Sequence, residues 1–194
     1  MWTWKEKRWY NDNLLDYFDL IYINKMDKSV EGRVAMDIVT YTQAVTTLDN
    51  EAENPSIREK AIQYLSEHPD SQAIERIVRA LEDDNFGVRW EASKALSALG
   101  RDGLIALLVA LTDPARAGDV RLRNGAYRVL KHLNFPDIDH QVWNLIMATK
   151  GPAADLLTMI EANKLLEQLR SLEKLKEVIS KPSKAPSWPT QGDT

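Results

Sequence analysis

The chain has 194 residues, 44% hydrophobic and 28% charged, with a net charge of −4 and a pI near 5.5. This is an ordinary globular composition, long enough for one domain with appendages, and its acidity supplies no overall drive toward duplex DNA or anionic lipid. There is no cysteine, which excludes disulfides, thiolate catalysis, iron–sulfur clusters and cysteine zinc sites.

The chain opens with Trp2, Trp4, Trp9 and Tyr10 interleaved with Lys5, Lys7 and Arg8. Polar Asn11, Asp12 and Asn13 follow, so this is not read as a signal peptide, and no stretch approaches the ~20 apolar residues of a membrane helix. A cytoplasmic protein is the expectation. Indole rings beside cations stack bases, sit at a membrane interface or anchor a protein contact; alternatively they cover the end of the fold. Residues 11–53 carry nine acids against three bases. A helical pair is predicted at 11–23 and 30–49, the second on the stripe Val34, Ile38, Tyr41, Val45 and Leu48.

A phrase then recurs three times. Ile57-Arg58-Glu59-Lys60-Ala61-Ile62-Gln63-Tyr64-Leu65 returns from Val88 to Leu96 and from Leu122 to Leu130, at steps of 31 and 34 residues. Periods of this size mark stacked helical hairpins, an all-α solenoid. Ala61, Ala92 and Ala126 hold the middle of the first helix, where a small side chain permits close approach. Ser56 with Glu59 reads as a capping box, and Asn54-Pro55 as an alternative cap. Asp84 or Asn85 caps the second copy, and Gly100 ends its first helix in a left-handed conformation. The second helices bury Ile74, Ile77, Val78 and Leu81, then Leu104, Leu107, Leu108 and Leu111, then Val142, Trp143 and Ile146. Residues 116–119 read as a loop insertion, and Gly125 weakens the third copy's first helix.

Residues 153–179 read as one long helix or two shorter ones, with Leu165, Leu169, Leu172, Lys176 and Ile179 along a seam. That seam either caps the monomer or pairs two copies, so a monomer or a dimer is expected. The tail from Ser180, with Pro182, Pro186 and Pro189, is expected to be disordered.

The stretch from Asp84 to Gly100, with an Asp at the turn, Val-Arg, Ala, Ala-Leu and a closing Leu-Gly, resembles a HEAT repeat. It is most similar to the short repeats of the phycobilisome-lyase-like type. The resemblance implies a short right-handed α-solenoid of HEAT-like hairpins with helical N- and C-terminal caps. The organisation then reads as an aromatic/basic segment and helical cap (1–53), HEAT-like repeats (54–150), a helical cap (151–180) and the tail (181–194). It also implies structural roles for Arg58, Arg89 and Arg123, with Asp83, Asp84 and Asp113 as partners.

No catalytic site is assigned. There is no glycine-rich phosphate loop, no Gly-x-Ser-x-Gly and no His-Glu-x-x-His. Asp137-Ile138-Asp139-His140 is read as a helix N-terminus rather than a metal site, and no metal or cofactor is expected. The expected function is a non-catalytic protein-interaction module, an adaptor or scaffold. Aligning Ala73–Asp83 with Gly103–Asp113 turns Glu75, Arg76 and Arg79 into Ile105, Ala106 and Val109. The expected partner-binding face is therefore Ile105 and Val109, flanked by Glu75, Arg76, Arg79 and Glu82. Secondary contacts are assigned to Trp2, Trp4, Trp9, Trp188, Arg121 and Arg128. The alternatives are a bilin-lyase-like or phycobilisome-associated protein, and a nucleic-acid-binding HEAT-like protein, the latter disfavoured by net charge.

Overall fold

The structure is a computed structural model that describes residues 38, 40–116, 118–151 and 153–180, with side chains described to residue 176. Trp2, Trp4, Trp9, Trp188, the helix expected at 11–23, Val34 and the proline-rich tail lie outside the described residues. Among those described there are eight α-helices, one 3₁₀ turn and no strand. In chain order the helices are α1 (Tyr41–Leu48), α2 (Pro55–Glu67), α3 (Ser71–Arg79, continued by the 3₁₀ turn Ala80–Glu82) and α4 (Phe86–Ala98). They continue as α5 (Gly100–Leu111), α6 (Val120–His132), α7 (Asp139–Ala148) and α8 (Ala154–Ser180).

Short polar side chains start the helices. The Asn54 side-chain Oδ1 accepts the Ser56 N–H at 2.9 Å, with Pro55 in the first turn, so the Asn-Pro cap is used and Ser56 lies inside the helix. Asn85 caps α4 by accepting from Gly87 and Val88, and Asp119 caps α6 by accepting from Arg121 and Leu122. Gly100 has φ of +59° directly after the α4 C-cap, the left-handed turn that glycine adopts without a Cβ penalty.

The helices stack in two layers, an arrangement consistent with an α-solenoid. In the first layer α2 packs on α4 and α4 on α6. Ala61, Ala92 and Ala126 are fully buried in this layer. In the second layer α3 packs on α5. Ile77, Leu81, Leu104, Leu107 and Leu108 are fully buried, Val78 and Leu111 nearly so, and Ile74 is half-buried against the core.

Both ends of the helical array depart from the repeat. The α1 helix packs on α2 much as α2 packs on α4, and only marginally on α3, so it extends the first layer. At the other end α5 and α7 do not pack directly on each other beyond marginal contact. The single long helix α8 packs on both, burying Ala162, Leu165, Leu166 and Leu169. Steps of three and four along that stripe put these residues on one face.

Candidate functional site

Two neighbouring surfaces hold most of the described residues singled out from sequence. The first is the outer face of the second helices. With α8 packed on α5, Ile105 and Ala106 are half-buried against the core, whereas Val109 is 50% exposed. Arg79, the register equivalent of Val109 on α3, has 66% of its side chain exposed and pairs with Glu75 one turn earlier at 2.6 Å. Isolated surface pairs of this kind contribute at most about 1 kcal/mol.

The second surface is a charged groove of about 590 Å³ along the edge where helix ends meet. Its wall comes from the α1–α2 loop (Leu48, Asp49, Glu51), the first turn of α2 (Arg58), the end of α3 and the following turn (Arg76, Arg79, Ala80, Glu82, Asp83, Asp84), and the start of α6 (Arg121). The groove brings together Arg76, Arg79, Glu82 and Arg121; Ile105 and Val109 do not line it.

Ion pairs stitch this edge across repeats. Arg58, 6% exposed, pairs with Asp83, which also accepts the Asn85 N–H at 2.7 Å. Arg76 holds Asp49 at 3.1 Å, and the Arg116 Nε donates to Glu82 at 2.7 Å. Arg121 pairs with Asp84 at 2.6 Å and donates to the Glu82 carbonyl at 3.1 Å. The repeat arginine of α4, Arg89, donates to the Asp83 and Asp84 carbonyls at 2.6 and 2.8 Å. These bonds satisfy carbonyls that a tight turn leaves unpaired.

The remaining residues lie elsewhere. The Arg128 guanidinium stands 5.0 Å from the centre of the Phe86 ring, which also stacks with Trp90. Asp137 is held below its ordinary value by the Arg101 guanidinium, which bonds it at 2.8 Å. Among the described residues no three His, Asp or Glu side chains converge as metal ligands. No helix there is long and apolar enough to cross a membrane. The His68 imidazole bonds the Tyr64 carbonyl at 2.9 Å, at the end of α2.

Sequence reasoning missed the groove itself. Arg58, Asp83 and Asp84 were visible as repeat residues, but Asp49 and Glu51 sit in a connecting loop with no motif. Only the stacking of α1 beside α2 brings that loop to Arg76.

A protein-family model described as HEAT repeats matches residues 43–131, from α1 to the last turn of α6. No match is found among curated proteins or among solved structures. The match supports a HEAT-repeat family for this stretch, in line with the all-helical layers, and begins before residue 54.

Proposed function

We propose that this chain is a non-catalytic HEAT-repeat interaction module that holds a protein partner on the face formed by α3 and α5. In this reading the repeats are of the short, phycobilisome-lyase-like kind, wound right-handed, with α8 as the C-terminal cap. Residues 1–53 and 151–180 flank a repeat unit at 54–150, whose first layer α1 extends.

The exposure of Val109 carries the reading. A valine flanked by α3 and α8, two helices packed on its own, is in a position where packing ordinarily hides an apolar side chain. Instead it is half-exposed, on a helix packed against α3, which carries the exposed pair Glu75–Arg79. HEAT repeats generally mediate protein interactions, and the partner is a protein in this reading.

The test is capture from native lysate with the wild-type chain and with Val109→Asp, quantified by mass spectrometry. Ile105 is left intact, because its half-buried contact with the core makes an aspartate there a folding defect. A specific partner captured by the wild type and lost by the folded Val109→Asp variant is the expected result. An identical set of captured proteins for both chains removes Val109 from the interface.

A further inference from the structure

We infer that the start of α8, from Leu156 to Ile160, is a dimerisation surface that packs against the same turns of a second copy about a two-fold axis. This goes beyond the Val109 reading and does not depend on it. The surface lies on the side of α8 away from its buried seam.

Among the described residues, large exposed apolar side chains concentrate at one place. Leu156, Leu157 and Ile160 are 52%, 43% and 37% exposed, and Met147 at the end of α7 is 48% exposed. The Thr158 hydroxyl donates to the Ala148 carbonyl at 3.1 Å, which ties the last turn of α7 to the second turn of α8. Spacings of three and four residues put Leu157 and Leu156 on one face with Ile160.

The inward face of the same stretch is built from small side chains. It buries Thr158 and Ala162. From Leu165 onward the usual order holds: Leu165, Leu166 and Leu169 are buried, and Lys164, Glu167 and Arg170 are exposed. A helix that needs cover on one side carries its large apolar residues inward, as α8 does after Leu165. Its start carries them outward, at the C-terminal end of the array, where a solenoid ordinarily turns a polar face to water.

Charge selects a second copy as the cover. The patch is flanked by Asp155 at its N-terminal end and Lys164 at its C-terminal end, both exposed. Antiparallel pairing about an axis beside Ile160 brings Asp155 of each copy toward Lys164 of the other and opposes the two helix dipoles. Parallel pairing sets like charges together. Lys164 also bonds Glu161 on its own helix at 2.7 Å, so the pair between copies is a rim contact that sets direction, and the apolar centre supplies the affinity. An isologous pair covers the patch with itself and closes.

Sedimentation velocity of the full chain over a concentration series tests this, together with single-cysteine crosslinking, which is site-specific because the chain has no cysteine. The expected species at about 100 μM has twice the 22.1 kDa mass of the chain. Leu157→Glu, checked for folding by circular dichroism, is monomeric. Asp155→Lys and Lys164→Asp each weaken the dimer about tenfold, and the two together restore it. Ile160→Cys forms a disulfide-linked dimer on mild oxidation. Leu175→Cys does not, because antiparallel helices set those two positions about 45 Å apart. The inference is overturned by a chain that stays monomeric at about 100 μM, by a dimer that Leu157→Glu leaves intact, or by charge reversals that fail to rescue each other. Crosslinking at both positions overturns the antiparallel arrangement.

Discussion

Two glycines fix how closely helices approach. A Cβ built at Gly103, in the first turn of α5, falls inside van der Waals contact with the Leu96 carbonyl oxygen on the last turns of α4. A Cβ at Gly125 on α6 meets the fully buried Leu81, with Cδ2 at 2.9 Å and Cβ at 3.1 Å. Gly125 thus weakens its helix locally while making room for a core leucine from the 3₁₀ turn that ends the first hairpin. The two sites differ in what must yield, backbone at one and a leucine side chain at the other. Gly103→Ala is expected to destabilise by about 1–3 kcal/mol. Gly125→Ala recovers about 1 kcal/mol of helix propensity against a similar packing penalty, so its loss is smaller. Urea denaturation of both variants checks the order, and an equal or larger loss for Gly125→Ala contradicts it.

At the scale of elements, α8 is the main departure from a regular repeat. It runs for 27 residues and occupies the position beside α5 where the third hairpin's second helix would otherwise pack. Its seam is buried at Leu165 and Leu169 and half-buried at Leu172, facing the rest of its own chain. Replacing Leu165 by alanine is expected to cost about 2–5 kcal/mol through lost burial and the cavity left behind. Leu175→Ala, at a position 56% exposed, is the matched control with little effect. Thermal unfolding followed by circular dichroism compares the two. Equal melting temperatures for both variants mean that α8 is not part of the cooperative core. Ile105 and Val109, four apart on α5, differ in exposure although a pattern on that helix alone assigns them one face.

Across the molecule, carboxyl groups perturbed in opposite directions shape the response to pH. Burial, reinforced by the nearby negative charge of Glu91, pushes the Glu59 carboxyl above its ordinary range. Its contribution to stability is full below the ordinary carboxylate value and is lost as pH rises through the raised folded value. Asp70 and Asp137 behave oppositely. The Ala73 N–H and the Tyr41 hydroxyl hold Asp70 low, and Arg101 holds Asp137 low, so their contributions fade as pH falls through their folded values. Glu59→Gln is expected to be more stable than the wild type at pH 7, by less than about 1 kcal/mol, with the advantage vanishing near pH 4. Urea denaturation at the two pH values measures it, and an advantage that grows on acidification contradicts the assignment.

The sequence by itself determined the repeat and most of its buried positions; of the stripe expected on α7, Val142 is buried while Trp143 and Ile146 are half-buried. Apolar spacing of three and four residues is a local property of one helix, and it marked the stripe through Leu104, Leu107, Leu108 and Leu111 as core without reference to any neighbour. Cap chemistry is equally local, though Asn54 and Ser56 lie close enough that only the observed N–H acceptor separates them. What the tertiary structure alone decided depends on helices far apart along the chain. Whether Val109 faces solvent depends on the helices that pack around α5, and the groove exists because the α1–α2 loop, Arg58, the end of α3 and Arg121 converge on one edge. A hydrophobic pattern specifies which side of a helix seeks cover; which element supplies that cover is settled by packing complementarity among all the helices at once.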